Sequence, residues 1–334
     1  MEGSGVKILI TGGTGFTGAA LAARLSELGN SVISIDYQKG ICFGELQEKG
    51  VKLMTGSITD ASLVENAMQG IDFVFHLAAA FRELDVSNEY YYDVNVEGTR
   101  IVIDAAFRCG VKKFVYCSTQ GVHGHIANPP GDENSPIAPA DYYQETKYGG
   151  EAVVQEFIQK GMNATIIRPT AIYGPGDPGR FLMIYKWACR GFFPMFGKGR
   201  TFYHPVYIDN LVDAFIELLD FEKGKGGTYI IGDEEYLSIE DLVKKAGKAI
   251  GITIKVFHFP LLPLVLAGYA FEKAYKPFNI PPPLFPRRVD WYRQVRAFKI
   301  DKAKSELGYQ PRIGIDEGLR RTGHWYTHKG YIAD

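Results

Sequence analysis

The sequence predicts an α/β protein, a doubly wound parallel Rossmann sheet with a smaller C-terminal substrate-binding lobe. Three observations carry that prediction. Short, almost continuously apolar segments alternate with helical ones through the first half, as a parallel sheet covered on both faces requires. A glycine-rich turn, Gly12-Gly13-Thr14-Gly15-Phe16-Thr17-Gly18, directly follows the first of the strand-like segments. An acidic residue, Asp36, ends the second.

Taken in order, residues 7–11 (KILIT) form the first strand and residues 19–28 the helix after the glycines. Further strands are expected at 31–36, 51–54, 72–77, 113–118 and 164–168, with helices at 61–68, 97–109 and 143–159. Right-handed crossovers between parallel strands place ligands at the carboxyl ends of the sheet. After Pro169 the pattern loosens: residues 174–177 (GPGD) are a turn, residues 281–283 a rigid extended run of prolines, and aromatics are frequent. The expected division is a nucleotide-binding domain at 1–175, with returning segments about 205–231, and a substrate lobe at 176–204 and 232–334.

Composition narrows the partners. The chain has 334 residues, 46% hydrophobic and 22% charged, and a formal net charge of -1 with no basic stripe, so nucleic acid is not expected. Cys42, Cys109, Cys117 and Cys189 are far apart and form no C-x-x-C pair; neither zinc nor a disulfide framework is expected, and a reducing, cytoplasmic setting fits. The first residues carry no secretory pattern. The longest apolar stretch, 256–271, is interrupted by Pro260 and Pro263 and falls short of the roughly 20 residues of a membrane span. Weak contact of residues 259–271 with a membrane surface stays open.

The glycine spacing is Gly12-x-x-Gly15-x-x-Gly18. Glycines there permit a tight turn and close approach of a pyrophosphate, whose charge sits at a helix N-terminus. Asp36 lies 18 residues after Gly18, where a carboxylate binds ribose hydroxyls and repels a 2′-phosphate. No Arg follows it closely, so NAD is expected rather than NADP, with Lys39 the one argument for the latter.

Tyr143 and Lys147 stand four residues apart on an expected helix and share a face. A neighbouring ammonium favours phenolate and brings a tyrosine towards the working pH. Tyr269 and Lys273 have the same spacing but no such context, and read as a packed pair. Ser118 and Thr119 end the fifth strand, where a hydroxyl can polarise a substrate oxygen and help hold a developing alkoxide.

This arrangement resembles the extended short-chain dehydrogenase/reductase family, within the NAD-dependent epimerase/dehydratase superfamily, over nearly the whole chain. The motifs are TGGTGFTG at 11–18, HLAA at 76–79, NVEGT at 95–99, STQGVHG at 118–124, YQETK at 143–147, RPTAIYGPGD at 168–177, YIDN at 207–210 and KAKSELGYQP at 302–311. The resemblance implies that Tyr143 is the general acid/base, Lys147 its partner and Thr119 the catalytic hydroxyl, with Ser118 beside it. It implies a cofactor-contacting set of Gly12, Thr14, Gly15, Phe16, Thr17, Gly18, Asp36, Ser57, Ile58, Leu77, Ala78, Ala79, Asn95, Tyr143, Lys147 and Pro169. One departure concerns adenine: the family often has Gly-Asp-x-x-Asp after the third strand, and this chain reads Gly56-Ser57-Ile58-Thr59-Asp60. A homodimer through the helices at 97–109 and 143–159 is also implied.

Three features bear on substrate. Sugar 4,6-dehydratases usually carry Thr-Asp-Glu where this chain has Thr119-Gln120-Gly121, so the acid and base for water elimination are missing. Many UDP-sugar enzymes have an Arg where this chain has Tyr203, with Arg200 nearby as a shifted substitute. The apolar run at 259–271 resembles the C-terminal lobe of the 3β-hydroxysteroid and sterol dehydrogenase branch and suits a lipid or polycyclic substrate. The expected activity is hydride transfer between NAD and a secondary alcohol or ketone of a bulky apolar molecule. A UDP-sugar 4-epimerase with tightly bound NAD is the alternative, and a non-catalytic NAD(H)-sensing protein the third reading.

Overall fold

Alternation along the strands sorts the apolar side chains into two cores, one on each face of a central sheet. The structure, a computed structural model, describes residues 5–40, 42–81, 86–177, 179–275, 284 and 289–332. The expected proline run at 281–283 lies outside the described residues.

In chain order the first half contains β1 (Lys7–Thr11), α1 (Phe16–Glu27), β2 (Ser31–Asp36), α2 (Phe43–Glu48), β3 (Lys52–Thr55), α3 (Ala61–Met68) and β4 (Phe73–His76). Then come α4 (Asn88–Tyr92), one π-helical turn (Asp93–Glu97), α5 (Gly98–Arg108), β5 (Lys113–Cys117), α6 (Tyr142–Gln159) and β6 (Ala164–Pro169). The second half has β7 (Ala171–Tyr173), α7 (Arg180–Ala188), β8 (Phe192–Phe196), β9 (Phe202–Tyr203), β10 (Pro205–Tyr207) and α8 (Ile208–Glu217). It ends with β11 (Thr228–Ile231), β12 (Leu237–Ser238), α9 (Ile239–Ala249), β13 (Lys255–Phe259), α10 (Leu261–Tyr275) and α11 (Ile315–His328).

Seven strands form one parallel sheet in the order β3-β2-β1-β4-β5-β6-β11. The order reverses between β1 and β4, and in such sheets the crevice at that switch point, beyond the carboxyl ends, takes the ligand. Ile8 and Ile10 of β1 and Phe73 and Phe75 of β4 join the core beneath α1 and α8. Leu9 and Val74, one residue out of phase, join the opposite core with Val102 of α5 and Val153 of α6. The strict period of two in a strand produces this split.

Local chemistry sets the helix starts that matter for the site. Asp60 caps α3 by accepting from the Leu63 amide, and Asp141 caps α6 by accepting from the Gln144 amide, the side-chain rescue of free N-terminal amides. Outside the main sheet, β7 pairs with β10, β9 with β12 and β8 with β13. Residues 208–217 (α8) lie against α1, and β11 extends the sheet beyond β6. Among the described residues, no helix is long and apolar enough to cross a membrane.

Candidate active site

The glycine loop is fixed by two close approaches. A Cβ on Gly12, at φ +71°, would lie 2.8 Å from the Ala78 backbone, so the chain crosses the start of the β4 exit with no room for a side chain. A Cβ on Gly18 would lie 2.1 Å from the Gly12 carbonyl oxygen, which makes α1 dock directly on the turn. Gly15 differs: it is exposed, and its Cβ would meet nothing nearer than the Gly12 oxygen at 3.4 Å. Gly15 thus presents bare backbone at the N-terminus of α1, the geometry that suits a pyrophosphate.

Asp36 sits at the end of β2 and accepts from both the amide (3.0 Å) and the hydroxyl (2.8 Å) of Thr14. The Thr14 hydroxyl in turn accepts from the Gly40 amide at 3.2 Å. Thr14 is therefore a clasp between the glycine loop and the β2–α2 connection, and it holds the Asp36 carboxylate at the crevice. Phe16 is half-buried, in reach of a Cβ on Gly176, which brings the GPGD turn down onto the glycine loop. Thr17 is half-buried in the first turn of α1. These residues and the carboxyl end of β1 form a cradle that fits a dinucleotide.

Beyond β3, the Ser57 hydroxyl bonds Thr59 and accepts from its amide, forming a turn that carries Asp60 to its cap. Ile58 is buried against Gly98, so its side chain serves the core. Past β4, Leu77, Ala78 and Ala79 are half-buried. Leu77 donates to the Thr11 carbonyl, and Ala78 to the Thr11 hydroxyl.

His76 anchors this exit. Its Nδ1 is 2.6 Å from the Thr11 hydroxyl and its Nε2 2.9 Å from the Thr99 hydroxyl. The single Thr99 proton goes to the Asn95 carbonyl, so Thr99 must accept from Nε2–H and Nδ1 accepts from Thr11. The ring is thereby fixed as a neutral tautomer. Complete burial, then the nearby Lys147 charge, bring its pKa down to about 3.

Asn95 was expected at the cofactor, but its amide is engaged within the protein. Its Oδ1 accepts from the Ala80 amide, and its Nδ2 donates to the Ala80 carbonyl and to the Thr146 hydroxyl at 2.9 Å. Thr146 lies between Tyr143 and Lys147 and donates to the Tyr143 carbonyl. Asn95 thus ties the HLAA loop to α6. The π turn that carries it packs closely on α6, since a Cβ on Gly150 would lie 2.8 Å from the Asn95 carbonyl oxygen.

The first turns of α6 hold Tyr143 and Lys147. Tyr143 is half-buried, with the Phe81 ring 4.8 Å away. Lys147 is only 1% exposed, and its ammonium lies 4.2 Å from the centre of the Tyr116 ring. Burial brings the Lys147 pKa down to about 8, opposed by Cys117 and Glu151. Thr119, in extended backbone at the end of β5, caps a short 3-10 turn by accepting from the Gly121 amide. That bond uses a lone pair and leaves the hydroxyl proton to be donated. A Cβ on Gly121 would lie 3.2 Å from the Thr119 hydroxyl and 3.1 Å from Gln144, so the Thr119 turn abuts the start of α6.

Ser118, its neighbour, faces elsewhere. Its buried hydroxyl donates to Glu151, which makes two charge-assisted bonds with Arg168 at 2.6 and 2.9 Å. Arg168 also donates to His123 Nε2 at 3.0 Å, while His123 Nδ1 donates to the Ser135 and Pro136 carbonyls. Ser118 belongs to this buried network and not to the mouth of the site. Pro169 closes β6 at its register with Ile231, and the Thr170 amide that follows donates to the Ile231 carbonyl.

Sequence reasoning missed Glu151, Arg168 and His123. Arg168 opens the RPTAIYGPGD segment and His123 lies within STQGVHG, but nothing in spacing joins a glutamate on α6 to an arginine on β6. It also missed Arg296, which registers beside Tyr203 in an isolated parallel bridge and is half-buried. Tyr203 itself is buried against Phe181 and Trp291.

Residues 8–232 match the NAD dependent epimerase/dehydratase family. The chain belongs to that family. It is an NAD-dependent enzyme of the extended short-chain dehydrogenase/reductase type, an oxidoreductase. It is 30% identical to a 3 beta-hydroxysteroid dehydrogenase/Delta 5-4 isomerase of Mycobacterium tuberculosis, over 96% of this chain and 90% of that one. It is also 30% identical to the N-acetyl-alpha-D-glucosaminyl-diphospho-ditrans,octacis-undecaprenol 4-epimerase of Escherichia coli O157:H7, over 94% and 93%. The UDP-glucose 4-epimerase of Thermotoga maritima, solved with UDP-glucose, superposes with a TM-score of 0.79 at 25% identity, covering 97% of this chain and 99% of that one.

Proposed function

We propose that this family member is an NAD-dependent dehydrogenase for a secondary alcohol on a bulky, largely apolar molecule of steroid or lipid type. The observation that carries the reading is Phe81, 44% exposed and 4.8 Å from the Tyr143 ring, which makes the approach to the phenol apolar. The steroid dehydrogenase relative, similar over nearly its whole length, supports it.

Bound NAD supplies the hydride acceptor. In the oxidative direction Tyr143 takes the hydroxyl proton as the hydride leaves the same carbon, and Thr119 donates to the oxygen. The Lys147 ammonium stabilises the phenolate and holds the nicotinamide ribose. Asp36 receives the adenosine ribose hydroxyls, Gly15 and its neighbours the pyrophosphate, Leu77, Ala78 and Ala79 the inner wall, and Pro169 the nicotinamide end. The substrate lobe is formed by residues 176–204 and 232–334.

A second reading is a nucleotide-sugar 4-epimerase, which uses the same residues and returns the hydride to the other face of the keto-sugar. Arg296 favours it, because its backbone pairs with Tyr203, the position where this chain lacks a diphosphate-binding arginine. A non-catalytic NAD(H) sensor is disfavoured by the intact Tyr143, Lys147 and Thr119. We further expect a cytoplasmic homodimer through α5 and α6, where Phe107 and Tyr148 are 41% and 40% exposed.

The test is to incubate purified protein with NAD and a panel of sterol and other lipid alcohols. Net NADH formation supports the dehydrogenase. Protein that carries tightly bound NAD, melts higher with UDP-sugars and releases no NADH is an epimerase, and the first reading fails.

A further inference from the structure

The β8/β13 ribbon has two unlike faces. Phe193 and Met195 point inwards and are buried. On the other face Phe192, Pro194 and Phe196 register with Lys255, Phe257 and Phe259, and Phe192, Phe257 and Phe259 are 37%, 51% and 47% exposed. The Trp187 ring of α7 meets Phe192 at 5.2 Å and carries the Arg190 guanidinium at 4.6 Å. Met183 and Lys186 line the same recess.

From Phe259 the chain turns at Pro260 into α10, LLPLVLAGYAFEKAY, whose only buried described residue is Gly268. Leu262 and Leu266 are 67% and 60% exposed, and Tyr269 and Phe271 are exposed too. A patch of this kind, continuous from strand to helix, marks an interaction surface.

Its charge identifies the partner. Residues 181–208 and 250–271 contain no Asp or Glu, yet hold Lys186, Arg190, Lys198, Arg200 and Lys255, in a chain whose net charge is -1; the acids beside them are Glu272 near the end of α10 and Glu240, which is bonded to His258. We propose that this face docks on an anionic lipid bilayer, with α10 lying in the plane of the interface. At 15 residues α10 is about 22 Å long, short of the roughly 30 Å hydrocarbon core. Binding at an interface scales with the apolar area buried and the attraction to anionic lipid, and each cation near an anionic surface adds to that attraction. Two copies meeting through this face would bring like charges together, so a second chain is the poorer occupant. The proposal stands independently of the substrate reading.

The experiment is flotation of the full chain with phosphatidylcholine vesicles, with and without phosphatidylglycerol. The expected result is binding on the order of tenfold tighter to the anionic vesicles, weakened by salt. Leu262→Glu with Leu266→Glu should abolish flotation while leaving NAD binding and the melting profile unchanged. Lys186→Glu with Arg190→Glu should erase the preference for anionic lipid. The proposal is overturned by absence of flotation, by equal binding to both vesicles, or by a wild-type oligomer in lipid-free solution that the leucine variant dissociates.

Discussion

The Lys147 ammonium is almost wholly buried over the Tyr116 ring, and burial brings its pKa down to about 8. Its unfolded value is higher, at 10.5, so between those two pH values the unfolded chain holds more protons and stability rises with pH. Below about 8 the full cost of the buried charge is present. Lys147→Met should therefore stabilise the cofactor-free protein at pH 7 by roughly 1–3 kcal/mol, while abolishing hydride transfer. Thermal unfolding at pH 7 and pH 10 checks this: the variant's advantage should shrink at the higher pH, and a variant less stable at pH 7 contradicts the account. At this scale the sequence was legible wherever one residue carries its own chemistry. The places of Tyr143 and Lys147 on one helix and of Asp36 at the end of β2 could be read from motif and spacing. Ser118 and Asn95 could not, because their roles are set by Glu151 and Thr146, partners 33 and 51 residues away.

At the scale of elements, the glycine loop separates folding from binding. Gly18→Ala would place a methyl 2.1 Å from the Gly12 carbonyl oxygen, and should cost about 1–3 kcal/mol of stability through displacement of α1. Gly15 has φ -71° and open space around its Cβ position. Gly15→Ala should keep the wild-type melting temperature and weaken NAD binding by roughly tenfold, about 1.4 kcal/mol. Calorimetric melting and NAD titration of both variants separate the two effects; equal destabilisation would contradict the division of roles. Strand and helix order was readable because apolar runs and glycines punctuate it. The π turn at Asp93–Glu97 was not, since it depends on the fit of Asn95 and Gly150 across two helices. Nor was the β8/β13 pairing, which joins segments about 60 residues apart.

For the whole molecule, Asp233 is the buried acid that joins the sheet to the later chain. Its Oδ1 accepts from the Tyr207 amide and from Asn210, whose side chain also bonds both backbone groups of Ile313. Burial pushes its pKa up to about 7, against the lowering pull of those hydrogen bonds. With the folded value above the unfolded 3.8, the folded state holds the extra proton; that stability is complete near pH 4 and is lost as pH rises through 7. Asp233→Asn should thus match the wild type near pH 4 and exceed it at pH 8 by roughly 1–3 kcal/mol. Denaturant melts at both pH values test it, and a variant weaker at pH 8 would contradict it. The overall architecture was legible because parallel sheets follow few topologies. Substrate was not legible, since Phe81 meets the Tyr143 ring from a segment without a motif of its own.

The central claim is that Tyr143 takes the proton while a hydride moves between NAD and an apolar secondary alcohol. Tyr143→Phe removes one oxygen and leaves the fold and the nucleotide cradle untouched. The decisive measurement is NADH production from a sterol alcohol by the wild type and this variant, alongside their NAD affinities. The account predicts turnover reduced at least a thousandfold, about 4 kcal/mol, with NAD affinity nearly unchanged. Undiminished turnover in Tyr143→Phe would contradict it.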